Sequence, residues 1–91
     1  MEIDFDPVKS EVNCRVRGLP FTIVERFDFE SALFNVDNRY DYGELRIFAL
    51  GFIDGRLHAL VFKEVVTGIR VISLRRANRR EVKRYEQENR S

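Results

Sequence analysis

Residues 45–75 read LRIFALGFIDGRLHALVFKEVVTGIRVISLR, three apolar runs separated by Asp54 and Gly55 and then by Thr67 and Gly68. Each run is short, rich in β-branched and aromatic side chains and bounded by turn residues, which predicts strands over 45–53, 56–65 and 69–75. Connections this tight join antiparallel neighbours, so the three form a meander. The runs are apolar on both faces, since Ile47 and Ala49 alternate with Phe48 and Leu50, and Leu60 with Val61. A sheet of this kind needs cover on both sides.

Working outward, LFNVD at 33–37 predicts a strand joined to the meander by the polar stretch 38–44, and EIDFD at 2–6 predicts a first strand with Ile3 and Phe5 on one face. Between them, Asp6 is placed to cap a helix with Pro7 at its first position and Gly18 as its terminator. Val8, Val12, Val16 and Leu19 recur at helical spacing, which predicts one apolar stripe packed on the sheet. Thr22 and Glu25 have capping-box spacing for a second short helix carrying Ile23, Val24 and Phe27. Past the meander, Asn78 and Glu81 cap a last helix reaching about Glu88, with Ala77, Val82 and Tyr85 as its few apolar residues. The expected fold is α+β: a mainly antiparallel β-sheet with two N-terminal helices and a C-terminal helix, in one domain spanning 1–91. A chain of 91 residues, 44% hydrophobic and 34% charged, has material for one core.

Composition closes several routes. A lone Cys14 cannot form an internal disulfide, no charged-then-apolar N-terminus resembles a signal peptide, no apolar run reaches membrane length, and a cytoplasmic location is expected. One histidine and one cysteine cannot build a zinc site, and GFIDG matches no nucleotide-binding loop, so no cofactor or metal is expected. His58 excludes a two-histidine ribonuclease and reads as a partly buried structural residue.

What remains is arginine. Residues 1–69 carry eight Lys/Arg against twelve Asp/Glu, whereas 70–91 carry eight against three. The net charge of +1 therefore hides a strongly cationic C-terminal end, which suits a polyanion or an acidic protein. Alternation places Arg46 with Phe48 and Leu50, and Arg70 with Ile72 and Leu74, leaving Ser73 and Arg75 on the opposite side. Two readings stand: ion pairs with a carboxylate such as Glu44 or Glu64, or guanidinium forks aimed at phosphate. Arg76, Arg79, Arg80, Lys83 and Arg84 extend the cationic surface into the last helix as candidate polyanion-binding residues. Its like-charge pairs, Arg79 with Lys83 and Arg80 with Arg84, are offset in part by Glu81, by Glu88 and by a Glu86–Arg90 pair.

RYDYGELRIFALG, GRLHALVF and IRVISLRRANRREVKRYE, with the opening FDPVKSEVNCRVRGLPF, resemble the BrnT family of type II toxin–antitoxin ribonucleases over nearly the whole chain. The resemblance implies a RelE-like α+β fold, RNA cleavage that inhibits translation and growth, and a BrnA antitoxin bearing a ribbon-helix-helix domain. It also implies a toxin–antitoxin complex that represses its own operon, with operator DNA reached through the antitoxin and toxin dimerisation within a hetero-oligomer. The positions matching the family's pattern are Glu44, Arg46, Arg70, Ser73, Arg75, Glu81 and Tyr85. Of these, Arg46, Arg70 and Arg75 are expected to stabilise charge on the phosphate; Glu44, Lys63 or Tyr85 are the candidates for moving protons, but strong acid–base groups are scarce and positioning with electrostatics fits the inventory better. Two departures stand out. Val16, Arg17 and Gly18 replace the usual Lys-His-Gly, and Phe62, Lys63, Glu64 and Val65 replace aromatic-Thr-x-Arg. If a missing side chain is needed for cleavage, the chain is an inactive homologue that acts as a binding module or co-repressor.

Overall fold

The computed structural model describes residues 1–89, so the Glu86–Arg90 pair lies outside the described residues. Five strands, β1 (Glu2–Asp4), β2 (Leu33–Val36), β3 (Ile47–Ile53), β4 (Arg56–Val65) and β5 (Gly68–Arg76), form one sheet in the order β1-β5-β4-β3-β2. Strands β2 to β5 are the antiparallel meander, and β1 adds in parallel at the far edge, with Ile3 opposite Ile69. Helix α1 (Pro7–Arg17) and a 3-10 helix (Phe21–Arg26) cover one face, and α2 (Arg79–Glu88) packs on the other. The larger core joins Leu19, Phe21, Val24 and Phe27 to Ala49, Leu60, Phe62, Val71 and Leu74. The smaller one places Tyr85 of α2 over Leu50, Leu57 and Ala59. No helix among the described residues is long and apolar enough to cross a membrane.

The punctuation works locally as its chemistry requires. Asp6 accepts the Val8 amide at 2.9 Å, Gly18 closes α1 at φ 71°, and Asn78 and Glu81 exchange both bonds of a capping box. Asp54 and Gly55, both at positive φ, turn β3 into β4.

Five expectations are corrected. The second helix is a 3-10 segment entered through Pro20 with no side-chain cap, so Thr22 and Glu25 form no capping box there. The turn between β4 and β5 is Val66 and Thr67, and Gly68 already belongs to β5. Gly68 is required for space: a Cβ there would sit 2.1 Å from the Glu2 carbonyl oxygen, where β1 runs alongside. β3 starts at Ile47, so Leu45 and Arg46 precede it, although the Arg46 carbonyl still accepts the Asp37 amide at 2.8 Å. Helix α1 turns its valines outward, leaving Val8, Val12 and Val16 exposed and only Leu19 buried.

The fifth correction concerns faces. Between Val61 and Phe62 the β4–β5 register shifts, so Ser73 pairs with Val61 and Val71 with Phe62, while Ile72 is the extra residue of a bulge. Leu74 thereby joins Ile69 and Val71 in the larger core, instead of sharing a side with Arg70. Arg70 and Arg75, opposite Lys63 and Ala59, fall on the α2 side together.

Candidate functional site

One row of charge crosses the sheet on the α2 side. Arg70 lies opposite Lys63 in the β4–β5 register, and Asp4 of β1 lies opposite Arg70. Arg46 stands one residue beyond the pair of Ile47 with Phe62, which brings it beside Lys63. Lys63 and Arg70 therefore sit on neighbouring strands, which run about 4.8 Å apart, and Arg46 sits just before the strand on the other side of Lys63. Like charges directly opposite one another are destabilising unless countered. Two carboxylates do the countering. Glu44 accepts from Lys63 Nζ at 3.1 Å and from Arg46 Nε at 3.2 Å, and Asp4 accepts from Arg70 Nη1.

The row is held rigidly and used only in part. The Arg46 guanidinium lies 4.0 Å above the Tyr42 ring, a stacking contact that fixes its plane. Within the described residues each guanidinium spends one of its five N–H donors on these contacts, and Lys63 one of three. Their side chains are between one quarter and two fifths exposed, so the remaining donors face solvent. Bonds from Lys63 and then Arg46 hold the Glu44 carboxyl below its ordinary range, which leaves it ionised and occupied. Of the carboxylates suggested for these arginines, Glu44 pairs with Arg46, whereas Arg70 turns to Asp4 and not to Glu64.

A second cationic zone lies along the same face, where Arg75 pairs with Ala59, four residues along β4 from Lys63. At strand rise that is about 13 Å between backbones, so Arg75 begins a second zone. Arg75 grips Glu81 through two parallel bonds of 2.7 and 2.9 Å. That grip raises the Arg75 pKa and lowers that of Glu81. Here a cleft of about 290 Å³ is lined by Asn35, Asp37, Arg39, Phe48, Arg75 and Arg84. Asp37 is buried because Arg39 clamps it at 2.8 and 3.0 Å and the Tyr42 hydroxyl donates to it at 3.3 Å. The Arg39 bond, first among these causes, keeps the Asp37 carboxyl low. Phe48, two residues along the chain from Arg46, lies between the two zones.

The remaining expected residues separate. Arg79, Arg80 and Lys83 line an open hollow at the start of α2, and with Arg76 they are exposed and make no ion pair with another described residue. Arg84 pairs with Glu88 at 3.5 Å. Ser73 sits beside the bulge and lines a groove against α1 with Ile72, Val12 and Asn13. Tyr85 is buried, its ring edge-on to Phe52 and its hydroxyl donating to the Ser31 carbonyl at 2.8 Å. His58 is buried too, donates from Nδ1 to the Arg56 carbonyl at 2.7 Å, and is pushed down in pKa chiefly by desolvation. Sequence reasoning missed Asp4, Asp37, Arg39 and Phe48. The aromatic and acidic residues around 37–46 were a signal for Asp37 and Arg39, but Asp4 reaches Arg70 only through the parallel edge pairing.

Fold and site together define a small α+β protein whose mainly antiparallel sheet presents arginines and a lysine with donors to spare. The chain belongs to the BrnT family: the model of that family, described as the ribonuclease toxin, BrnT, of type II toxin–antitoxin systems, matches residues 5–81. Comparison with curated proteins and with solved structures gave no match.

Proposed function

We propose that this copy is an active RNA endonuclease that arrests translation and growth, and that Arg46, Lys63 and Arg70 hold the scissile phosphate. The supporting observation is the row itself, Lys63 and Arg70 on adjacent strands and Arg46 just before the next, with most of their donors unspent. The 2′-hydroxyl oxygen attacks phosphorus, its proton passes to water, the P–O5′ bond breaks and the 5′ oxygen takes up a proton. A 2′,3′-cyclic phosphate and a 5′-hydroxyl result. Charge grows on the nonbridging oxygens in the transition state, where a preorganised donor is worth roughly 3 kcal/mol. Glu44 fixes Arg46 and Lys63 and takes no proton. The next nucleotide lies in the Arg75 cleft, where its base meets the half-buried ring of Phe48, since bases stack on aromatic side chains. Arg76, Arg79, Arg80, Lys83 and Arg84 draw the strand in, and Ser73 and Tyr85 support the scaffold. The reaction uses these cations and no metal.

On this reading, residues 1–91 act as one cytoplasmic toxin domain, neutralised by a BrnA-like ribbon-helix-helix antitoxin with which it represses its operon. A second reading has its own observation: Glu44 and Glu81 are both committed to cations and His58 is buried, so none of these three is a ready proton-transfer group. The chain is then an inactive homologue that binds antitoxin and operator. Expression alone separates the two. Growth arrest that Arg70→Ala abolishes, with antitoxin binding retained, supports the nuclease. Growth without arrest, RNA left intact and a stable complex with antitoxin support the homologue.

A further inference from the structure

Helix α1 is built with its polar side inward. Ser10 is buried and its hydroxyl oxygen accepts the Phe21 amide at 2.9 Å. Asn13 donates to the Leu19 carbonyl at 2.7 Å and to the Leu74 carbonyl at 3.0 Å, and Arg17 donates to the Leu74 carbonyl at 3.1 Å. These bonds set the rotation of the helix. The consequence is that Val8, Val12 and Val16 stand 68%, 42% and 75% exposed. Valine is a mediocre helix former, and these three add nothing to the core, so neither local propensity nor packing accounts for them. A local rule broken without a structural return marks a functional surface.

The surroundings say what fits. Val8 and Val12 run into a hollow of about 240 Å³ between α1 and β5, lined also by Phe21 and Ile72. At 3.6 residues per turn, Lys9 and Arg15 flank the stripe on its two sides, with Glu11 the nearest acid. A second copy is a poor occupant. Parallel pairing of two α1 helices sets Lys9 and Arg15 beside the same residues of the other copy. Antiparallel pairing about Val12 brings Glu11 near Arg15 but leaves both Lys9 side chains without a counter-charge, and its contact of three valines is far below the roughly 800 Å² per partner of a stable dimer. Three valines at the contact do not suit a phosphate backbone either.

We infer that the Val8, Val12 and Val16 face of α1, with its hollow against β5, docks an acidic amphipathic segment of the antitoxin. That segment seats apolar side chains along the valines and carboxylates against Lys9 and Arg15. The inference rests on the type II toxin reading. It places the antitoxin contact apart from the cation row.

The test is titration of the purified chain with the protein encoded by the adjacent reading frame. Three chains are compared: the parent, Val12→Asp with Val16→Asp, and Lys9→Glu with Arg15→Glu. Circular dichroism melts confirm that each is folded. Both double variants are expected to bind at least about 30-fold more weakly, the scale of a lost interface anchor, while cleaving RNA as the parent does. Parental affinity in either variant overturns the docking face. So does a parent that sediments as a dimer which the valine variant dissolves, or an RNA affinity that falls with Lys9 and Arg15. A parent that does not bind the neighbouring product at all overturns the antitoxin reading itself, and the inference with it.

Discussion

Single side chains divide between those that hold the fold and those with donors left unspent. The hydroxyl of Tyr85 already donates to Ser31, so Tyr85→Phe is expected to cost about 1 kcal/mol by denaturant melt and to leave single-turnover cleavage unchanged. A large loss of cleavage with intact stability would return Tyr85 to the chemistry. Lys63 is the opposite case. It is the middle cation of the row, and it shares Glu44 with Arg46. Lys63→Gln is expected to lower RNA affinity and to reduce the slope of log affinity against log salt by about 0.7, as for one lost phosphate contact on a single strand. An unchanged slope would remove Lys63 from the RNA path. Its position was legible in the sequence, but its partner was not, because Glu44 lies nineteen residues earlier in the chain.

Elements carry the site through register and close approach. Gly68 leaves room for β1, and a side chain there meets the Glu2 backbone, so Gly68→Ala is expected to destabilise the fold by roughly 1–3 kcal/mol. It should also expose the β1 amides to hydrogen exchange and release Asp4 from Arg70. Protection of β1 equal to the parent's would show that the edge pairing tolerates the extra carbon. The same strand shows where sequence reading stops. The meander, the Asp54 and Gly55 turn, both helix caps and the cationic tail were legible because each depends on neighbours a few residues away. The bulge at Ile72 was not, since strict alternation assumes one residue per step and offers no sign of an inserted one. That single residue decides whether Arg70 shares a face with Leu74 or with Arg75. In α1 the valine spacing was visible, but the inward rotation depends on Ser10, Asn13 and Arg17 meeting backbone groups of distant segments.

At the scale of the whole molecule, pH sets stability through groups that the fold keeps in one charge state. His58 is held neutral, with its folded pKa below the ordinary 6.5, so the unfolded chain binds the extra proton first as pH falls. Stability is full above about 6.5 and declines as pH drops toward the folded value. Glu81 and Asp37 lie below their ordinary 4.5 and 3.8, so their contributions are present above those values and are lost as pH falls through the lowered ones. Thermal melts are expected to show two acid steps, with His58→Gln removing only the upper one. A variant that keeps the upper step would place its origin elsewhere.

The most direct measurement is single-turnover cleavage of an end-labelled single-stranded RNA by the purified chain in a chelator, with the product ends identified. The account expects a 2′,3′-cyclic phosphate and a 5′-hydroxyl from the parent, and rates lowered by about 10²-fold or more in Arg46→Ala and in Arg70→Ala. Cleavage at the parental rate by either variant, or a product bearing a 5′-phosphate, would contradict it.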